Sequence, residues 1–316
     1  MVKIKIETGT VTQFKCDVLV LKHAQAFYGA DARVADALML TGNVKNEIHP
    51  KPSQYILLKS HRAVEAEYVL FVGVRRLGDF DYSDIRFFAA LALKIISTEL
   101  PHARHVAMTI HGRGFGLDER EAFLAQLGGI ADAEQSGMSI EKISIVERDP
   151  EGACRLETVL RDRPTQSHLT PLSTVETSRP RELITAGAAS KDKAHVFVAM
   201  PFNKELQDVY VFGIQGPVNE AGYLCERMDM VSFTGDILAR IKSRIETAAL
   251  VIADLSGANA NVYLEVGYAW GRNRPTLLLT RKEGDLTFDV RGQRCIVYEN
   301  IVDLAKKLQA DLSNLK

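Results

Sequence analysis

The chain has 316 residues, 46% of them hydrophobic and 25% charged, which is the composition of a globular protein long enough for two ordinary domains. A net charge of −1 offers no basic face for nucleic acid or an anionic membrane, and no apolar run approaches the ~20 residues that a membrane helix needs. The four cysteines, Cys16, Cys154, Cys225 and Cys295, lie far apart and form no CxxC pair. They predict reduced thiols in a cytoplasmic protein, with no metal site and no cofactor. The opening MVKIKIE is charged and alternating, so no signal peptide is expected.

In chain order, Val2 to Glu7 alternates and reads as an edge strand, and Asp17 to Leu21 as a buried one. Ala30 to Leu40 has helical spacing. Tyr55 to Lys59 and Tyr68 to Val74 are expected strands, followed by an amphipathic helix over Ser83 to Glu99 with Asp81 or Ser83 as its cap. A strand at Val106 to Ile110, a helix at Glu119 to Gln135 and a strand at Lys142 to Glu147 complete a domain over residues 1–148. The alternation predicts an α/β sheet covered by helices. Between the strand at Val106 and the helix at Glu119 lies HGRGFGLDERE, where Gly112, Gly114 and Gly116 could aim backbone N–H groups at an anion. The acidic first turn, Asp118 and Glu119, suits a self-capped helix better.

From Asp149 to Lys193 the sequence is rich in Ser, Thr and Pro, and neither helical nor strand periodicity persists. Residues 149–193 are therefore expected to be an interdomain linker. Residues 194–316 alternate strand and helix five times. VFVAM, Tyr223 to Arg227, Ala249 to Ala253, Pro275 to Thr280 and Cys295 to Tyr298 are the strands. This order predicts a second α/β domain with a flavodoxin-like parallel sheet.

Ligands of open α/β sheets bind where the strands end. Those ends carry Met200, Pro201 and Phe202, then Arg227 and Asp229, then Asp254. Asn261 and Glu265 come next in the chain, on the helix after Asp254, and Asp289 lies in the loop after the fourth strand. A carboxylate beside a sugar can attack the anomeric carbon while a second assists the departing group. The same pair can also serve a cleft that only binds.

Two resemblances sharpen this reading. VLFVGVRRLGDFDYSDIRFFAALAL and HGRGFGLDEREAF make residues 1–148 resemble the N-terminal, macro-like domain of leucyl aminopeptidases. Similar domains occur fused to effectors in bacterial defence systems. The resemblance implies nucleotide sensing or homo-oligomerisation, without the metal site of the peptidase. VFVAMPF, ERMD, ALVIADLSGANANVYLEVGYAWG, FDV and CIVYEN make residues 194–316 resemble nucleoside 2-deoxyribosyltransferase-like proteins, which are related to TIR domains.

That resemblance implies Glu265 as the nucleophile toward C1′ of a ribose and Asp254 as a contact to sugar or base. Met200, Pro201, Phe202, Arg227, Asp229, Asn261 and Asp289 would line the substrate site. The first strand ends AMPF where the transferases carry a Gly-rich turn, and NANV stands where NPNV is commoner. Both departures bear on the substrate more than on the reaction. The expected substrate is a nucleoside, a nucleotide or NAD. The alternatives are a TIR-like NAD hydrolase and a nucleotide sensor without turnover.

Overall fold

The computed structural model describes residues 2–40, 48–76, 79–112, 116–161, 185–228, 237–282, 284 and 286–313. The chain divides into two compact units, Met1–Arg113 with Glu119–Lys191, and Gly114–Asp118 with Asp192–Lys316. Each is an α/β unit built on a mainly or wholly parallel sheet, as the alternation of elements predicts.

The first sheet has six strands: β1 (Lys3–Thr8), β2 (Val18–His23), β3 (Tyr55–Lys59), β4 (Tyr68–Gly73), β5 (His105–Met108) and β6 (Lys142–Glu147). Their order is β1-β6-β5-β2-β4-β3, with only β3 antiparallel to its neighbour. β1 is an edge strand, as its alternation suggests. Central β2 is buried along its whole length, which explains why VLVL reads as a continuous apolar run. Leu19 and Leu21 point into a core with Val69, Phe71 and Ala107, closed by Val34, Ala35 and Leu38 of α1 (Gly29–Leu40).

Helices α2 (Tyr82–Glu99) and α3 (Glu119–Gln135) lie against each other. α2 opens with a capping box, in which Asp81 accepts from the Ser83 and Asp84 amides and Asp84 returns a bond to the Asp81 amide. The helices meet at Gly129, where a Cβ would fall 2.1 Å from the Arg86 carbonyl oxygen. Beside that contact, Arg86 pairs with Asp132 at 2.7 Å.

The described parts of the expected linker are folded. Residues 150–161 form helix α4 (Pro150–Arg161), capped by Asp149, whose carboxylate accepts from the Glu151 and Gly152 amides. Ala153 and Leu156 are buried, and Arg155 pairs with Glu119 at 2.8 Å. Proline, glycine and cysteine near its start hide the helical period in the sequence. Further on, the Arg86 guanidinium donates to the Ala186 carbonyl at 2.8 Å. Ser190 receives the Gly187 amide and donates to buried Glu121 at 2.6 Å, so this stretch belongs to the first unit.

The second sheet has five parallel strands: β7 (His195–Ala199), β8 (Leu224–Glu226), β9 (Leu250–Asp254), β10 (Thr276–Thr280) and β11 (Cys295–Val297). Their order is β11-β10-β9-β7-β8. Counted within the unit this is 2-1-3-4-5, the flavodoxin-like order, with β7 and β9 at the switch point. Both faces are covered. Val196, Val198 and Ile252 face a core with Leu304, Leu308 and Leu312 of α8 (Ile301–Ser313). Phe197, Ala199, Val251 and Ala253 face α6 (Ile237–Thr247) and α7 (Ala260–Gly271), through Ile241, Ile245, Val262 and Val266.

The segment after Asn203 is irregular. A 3-10 turn at Lys204–Leu206 is capped by Asn203 and leads to a π-helix, Val209–Gln215, which continues as α5 (Gly216–Glu220) with Pro217 in its first turn. No described helix is long and apolar enough to cross a membrane.

Two glycines should respond oppositely to alanine. Gly129→Ala forces a methyl group against α2 and should cost about 1–3 kcal/mol. Gly267→Ala, in α7 with open space around its Cβ position, should gain about 0.5–1 kcal/mol by removing backbone freedom from the unfolded chain. Urea unfolding of the two variants measures both signs.

Candidate functional site at the rim of the second sheet

The central strand β9 ends in a carboxylate. Asp254 is fully buried, and a buried carboxylate persists only when its oxygens are satisfied. One oxygen accepts the Ser256 amide at 2.9 Å and the other accepts the Tyr298 hydroxyl at 2.7 Å. Burial first, and the Asp254 charge second, push the Tyr298 hydroxyl up to about 12, so the proton stays on the tyrosine. The Ser256 hydroxyl lies 3.5 Å from the Tyr298 hydroxyl and accepts the Arg281 amide at 3.0 Å. The segments after β9, β10 and β11 are thus tied to one another.

Through these two bonds the buried Asp254 carboxylate holds the turn after the strand.

That turn has an uncommon backbone. Gly257 and Ala258 both adopt positive φ, 76° and 51°. The second is unusual for a residue with a Cβ, and such strain concentrates at functional sites. The turn closes with the Ala258 amide on the Leu255 carbonyl at 3.0 Å. Asn259 then caps α7, accepting the Asn261 amide at 3.0 Å. Val262, Val266 and Ala269 are the buried stripe of the helix. Glu265, beside that stripe, is half-buried. Its carboxyl has no hydrogen-bond or ionic partner among the described residues. Desolvation alone pushes it up to about 7.

The other predicted residues divide into groups. Met200, Phe202 and Arg227 come together. The buried Arg227 guanidinium lies 4.0 Å from the Tyr210 ring centre and 5.3 Å from that of Phe202. It donates to the Gln207 side chain at 2.9 Å and to the Met200 sulfur at 3.6 Å. The Arg227 guanidinium is therefore packed among aromatic rings and a thioether. Phe202 is 50% exposed and Pro201 is half-buried beside it. Asn261 is exposed in the first turn of α7. Asp289 is exposed in a 3-10 turn, Phe288–Val290, whose neighbours Leu286 and Val290 pack against Val262 and Val266. The Thr287 amide donates to the Tyr263 hydroxyl at 3.2 Å and fixes that loop to α7. Asp229 lies outside the described residues.

The glycine-rich loop is described only at its two ends. Gly112 and Gly116 have positive φ, 92° and 91°, and Gly114 lies outside the described residues. A Cβ at Gly116 would come 3.1 Å from the Met228 side chain. The neighbouring Asp118 is buried and accepts the Cys225 amide at 3.0 Å. A carboxylate in that place disfavours a second anion.

Tyr298, Tyr210 and Gln207 are the residues that sequence reasoning did not single out. The Tyr in CIVYEN sits one residue past a strand, at the ligand end of the sheet, and that position was the available signal. Among the described residues no group of three or more His, Cys, Asp or Glu could hold a metal ion.

No family model matches the sequence, and no curated protein matches it either. Among solved structures it is similar to the Oceanobacillus iheyensis macrodomain with MES bound, at 14% identity and a TM-score of 0.40, over 49% of this chain and 89% of that one. A Trypanosoma brucei macrodomain in complex with ADP-ribose matches at 18% identity and a TM-score of 0.42, over 50% of this chain and 68% of that one. The same macrodomain in complex with ADP matches at 16% identity and a TM-score of 0.41, over 50% of this chain and 69% of that one.

Two substitutions test the electrostatics of the rim. Tyr298→Phe leaves a buried Asp254 oxygen without its donor and should cost about 1–3 kcal/mol. Glu265 has its folded value raised above the ordinary value of 4.5, to about 7. The unfolded chain therefore ionises first, and stability falls as pH rises between those two values. Glu265→Gln removes that loss, and relative to wild type it should gain on the order of 1–3 kcal/mol at pH 8 over its effect at pH 4. Urea unfolding at the two pH values measures it. A pH-independent difference would mean that Glu265 titrates normally.

Proposed function

We propose that the second unit is an N-glycosidic bond hydrolase or transferase acting on a nucleoside or nucleotide, with Glu265 as the nucleophile. One observation carries the reading. Glu265 is a half-buried carboxyl without a partner among the described residues, at the ligand end of a parallel sheet, and its desolvation raises it to about 7. A structural carboxylate in the same unit looks different. Glu226 is fully buried but held by Arg244 through two guanidinium nitrogens.

In the reaction, the Glu265 carboxylate attacks the anomeric carbon. A C–O bond forms while the C–N bond breaks, and its electron pair leaves with the base, which takes a proton from solvent. Water, or the nitrogen of a second base, then attacks the same carbon and frees Glu265. Asp254, Ser256 and Tyr298 position the turn that leads into α7. Phe202 and Pro201 supply an apolar surface for a flat base. The first unit would regulate or oligomerise the enzyme, and a bacterial defence role fits such a pairing.

Binding without turnover is the second reading, favoured by the burial of Asp254, which leaves Glu265 as the accessible member of the expected carboxylate pair.

The test is incubation with nucleosides, nucleoside monophosphates and NAD, with free base read by chromatography. Base release should appear and should rise with pH up to about 7, as Glu265 ionises. Glu265→Gln should lower it by several orders of magnitude. A variant within tenfold of wild type, a loss of ~1.4 kcal/mol, would remove Glu265 from the nucleophile role. Saturable binding without release would establish the sensor. Turnover of NAD alone would establish the TIR-like hydrolase.

A further inference from the structure

A groove of about 1040 Å³ opens on the first unit, at the rim where β2, β4 and β5 begin and β3 ends. This is the end of the sheet opposite the carboxyl ends of its parallel strands. Its volume is at the top of the range for small-molecule sites and has room for several residues of an extended chain. The floor is apolar, made by the buried side chains of Cys16, Val64 and Ala66.

The walls are charged in both signs. Lys15, Lys59 and Arg62 stand with Glu65 and Glu67 around the groove, all of them exposed. None of the five has an ionic or side-chain hydrogen-bond partner among the described residues. Asp17, by contrast, is already engaged by the Arg104 and His105 amides at 2.7 and 2.8 Å. Exposed charges of both signs select against a polyanion, which Glu65 and Glu67 repel, and against a polycation, which the three bases repel. They suit a ligand that itself carries both signs.

Two backbone features give the ligand a shape. His61 and Arg62 both adopt positive φ, 48° and 67°, although neither is glycine. Ser60 holds them there, with its carbonyl accepting the Ala63 amide at 2.9 Å and its hydroxyl accepting the Arg62 amide at 3.3 Å. Residues 64–67 then alternate buried and exposed, so the apolar floor and the acidic wall run along one extended segment. Lys59, the last residue of β3, brings the end of that strand into the wall of the groove.

We propose that this groove is a docking site for an extended peptide that carries an acidic and a basic side chain a few residues apart. The acidic side chain meets Lys59 and Arg62, and the basic one meets Glu65 and Glu67.

A random dodecapeptide display library selected on the full chain tests the assignment, with two charge-reversed proteins as counter-targets: Arg62→Glu, and the double variant Glu65→Lys with Glu67→Lys. The three side chains are exposed, so unchanged melting temperatures are expected. Enriched peptides should carry an acid and a base within about six residues, a strand length along the groove. When synthesised with a fluorescent label, they should bind wild type in anisotropy titrations and lose at least tenfold on each variant. No enrichment overturns the proposal, as does binding to both variants equal to that of wild type. Enrichment of purely acidic peptides also overturns it, because the groove would then be an anion site. If one variant melts early, the other decides.

Discussion

One buried carboxylate governs the geometry of the second unit's rim. Asp254 has no water to solvate it and survives on two donors, the Ser256 amide and the Tyr298 hydroxyl. The first donor fixes the turn after β9 and the second ties in the segment after β11. From that turn the consequences run outward. Gly257 and Ala258 reverse the chain, Asn259 caps α7, and the Val262, Val266 and Ala269 stripe sets the rotation of the helix. Glu265 inherits its half-buried place from this chain of constraints. Its weakened acidity comes from where the helix puts it, since among the described residues no cation pairs with it to offset the lost hydration.

Much of this was legible in the sequence where a signal is local. VFVA in β7 and LVIA in β9 are unbroken apolar runs because helices cover both faces of a parallel sheet, and such runs read as strands without any context. Tyr55 to Lys59, Glu119 to Gln135 and Lys142 to Glu147 stand where the periodicity sets them. Glu265 was visible from the turn chemistry before it. The hidden features depend on partners distant in sequence. Tyr298 is 44 positions from Asp254, and only the fold reveals that its hydroxyl donates to that carboxylate. Helix α4 was hidden for a different reason. It owes its stability to Asp149 at its cap and to Arg155 on Glu119, neither of which appears in a hydrophobic pattern.

Three charged side chains near the strand ends of the second unit show how context divides similar residues into separate roles. Glu226 and Glu265 are both carboxylates, yet the first is neutralised by Arg244 and the second is left unpaired among the described residues. Arg227 is a cation at the end of the edge strand, and its flat, weakly hydrated guanidinium packs against Tyr210 and Met200.

The π-helix that supplies Tyr210 gives this arrangement an evolutionary grain. Its i→i+5 bonding holds one more residue per closed ring than an α-helix does. Losing a single residue between Val209 and Gln215 would let the segment relax to α geometry, turning Tyr210 by about 100° relative to the residues after it. The ring would leave the guanidinium of Arg227, which would then sit buried without its lid. Length in this short helix is therefore not freely variable. The π-helix and the cation it covers are thus coupled through one ring.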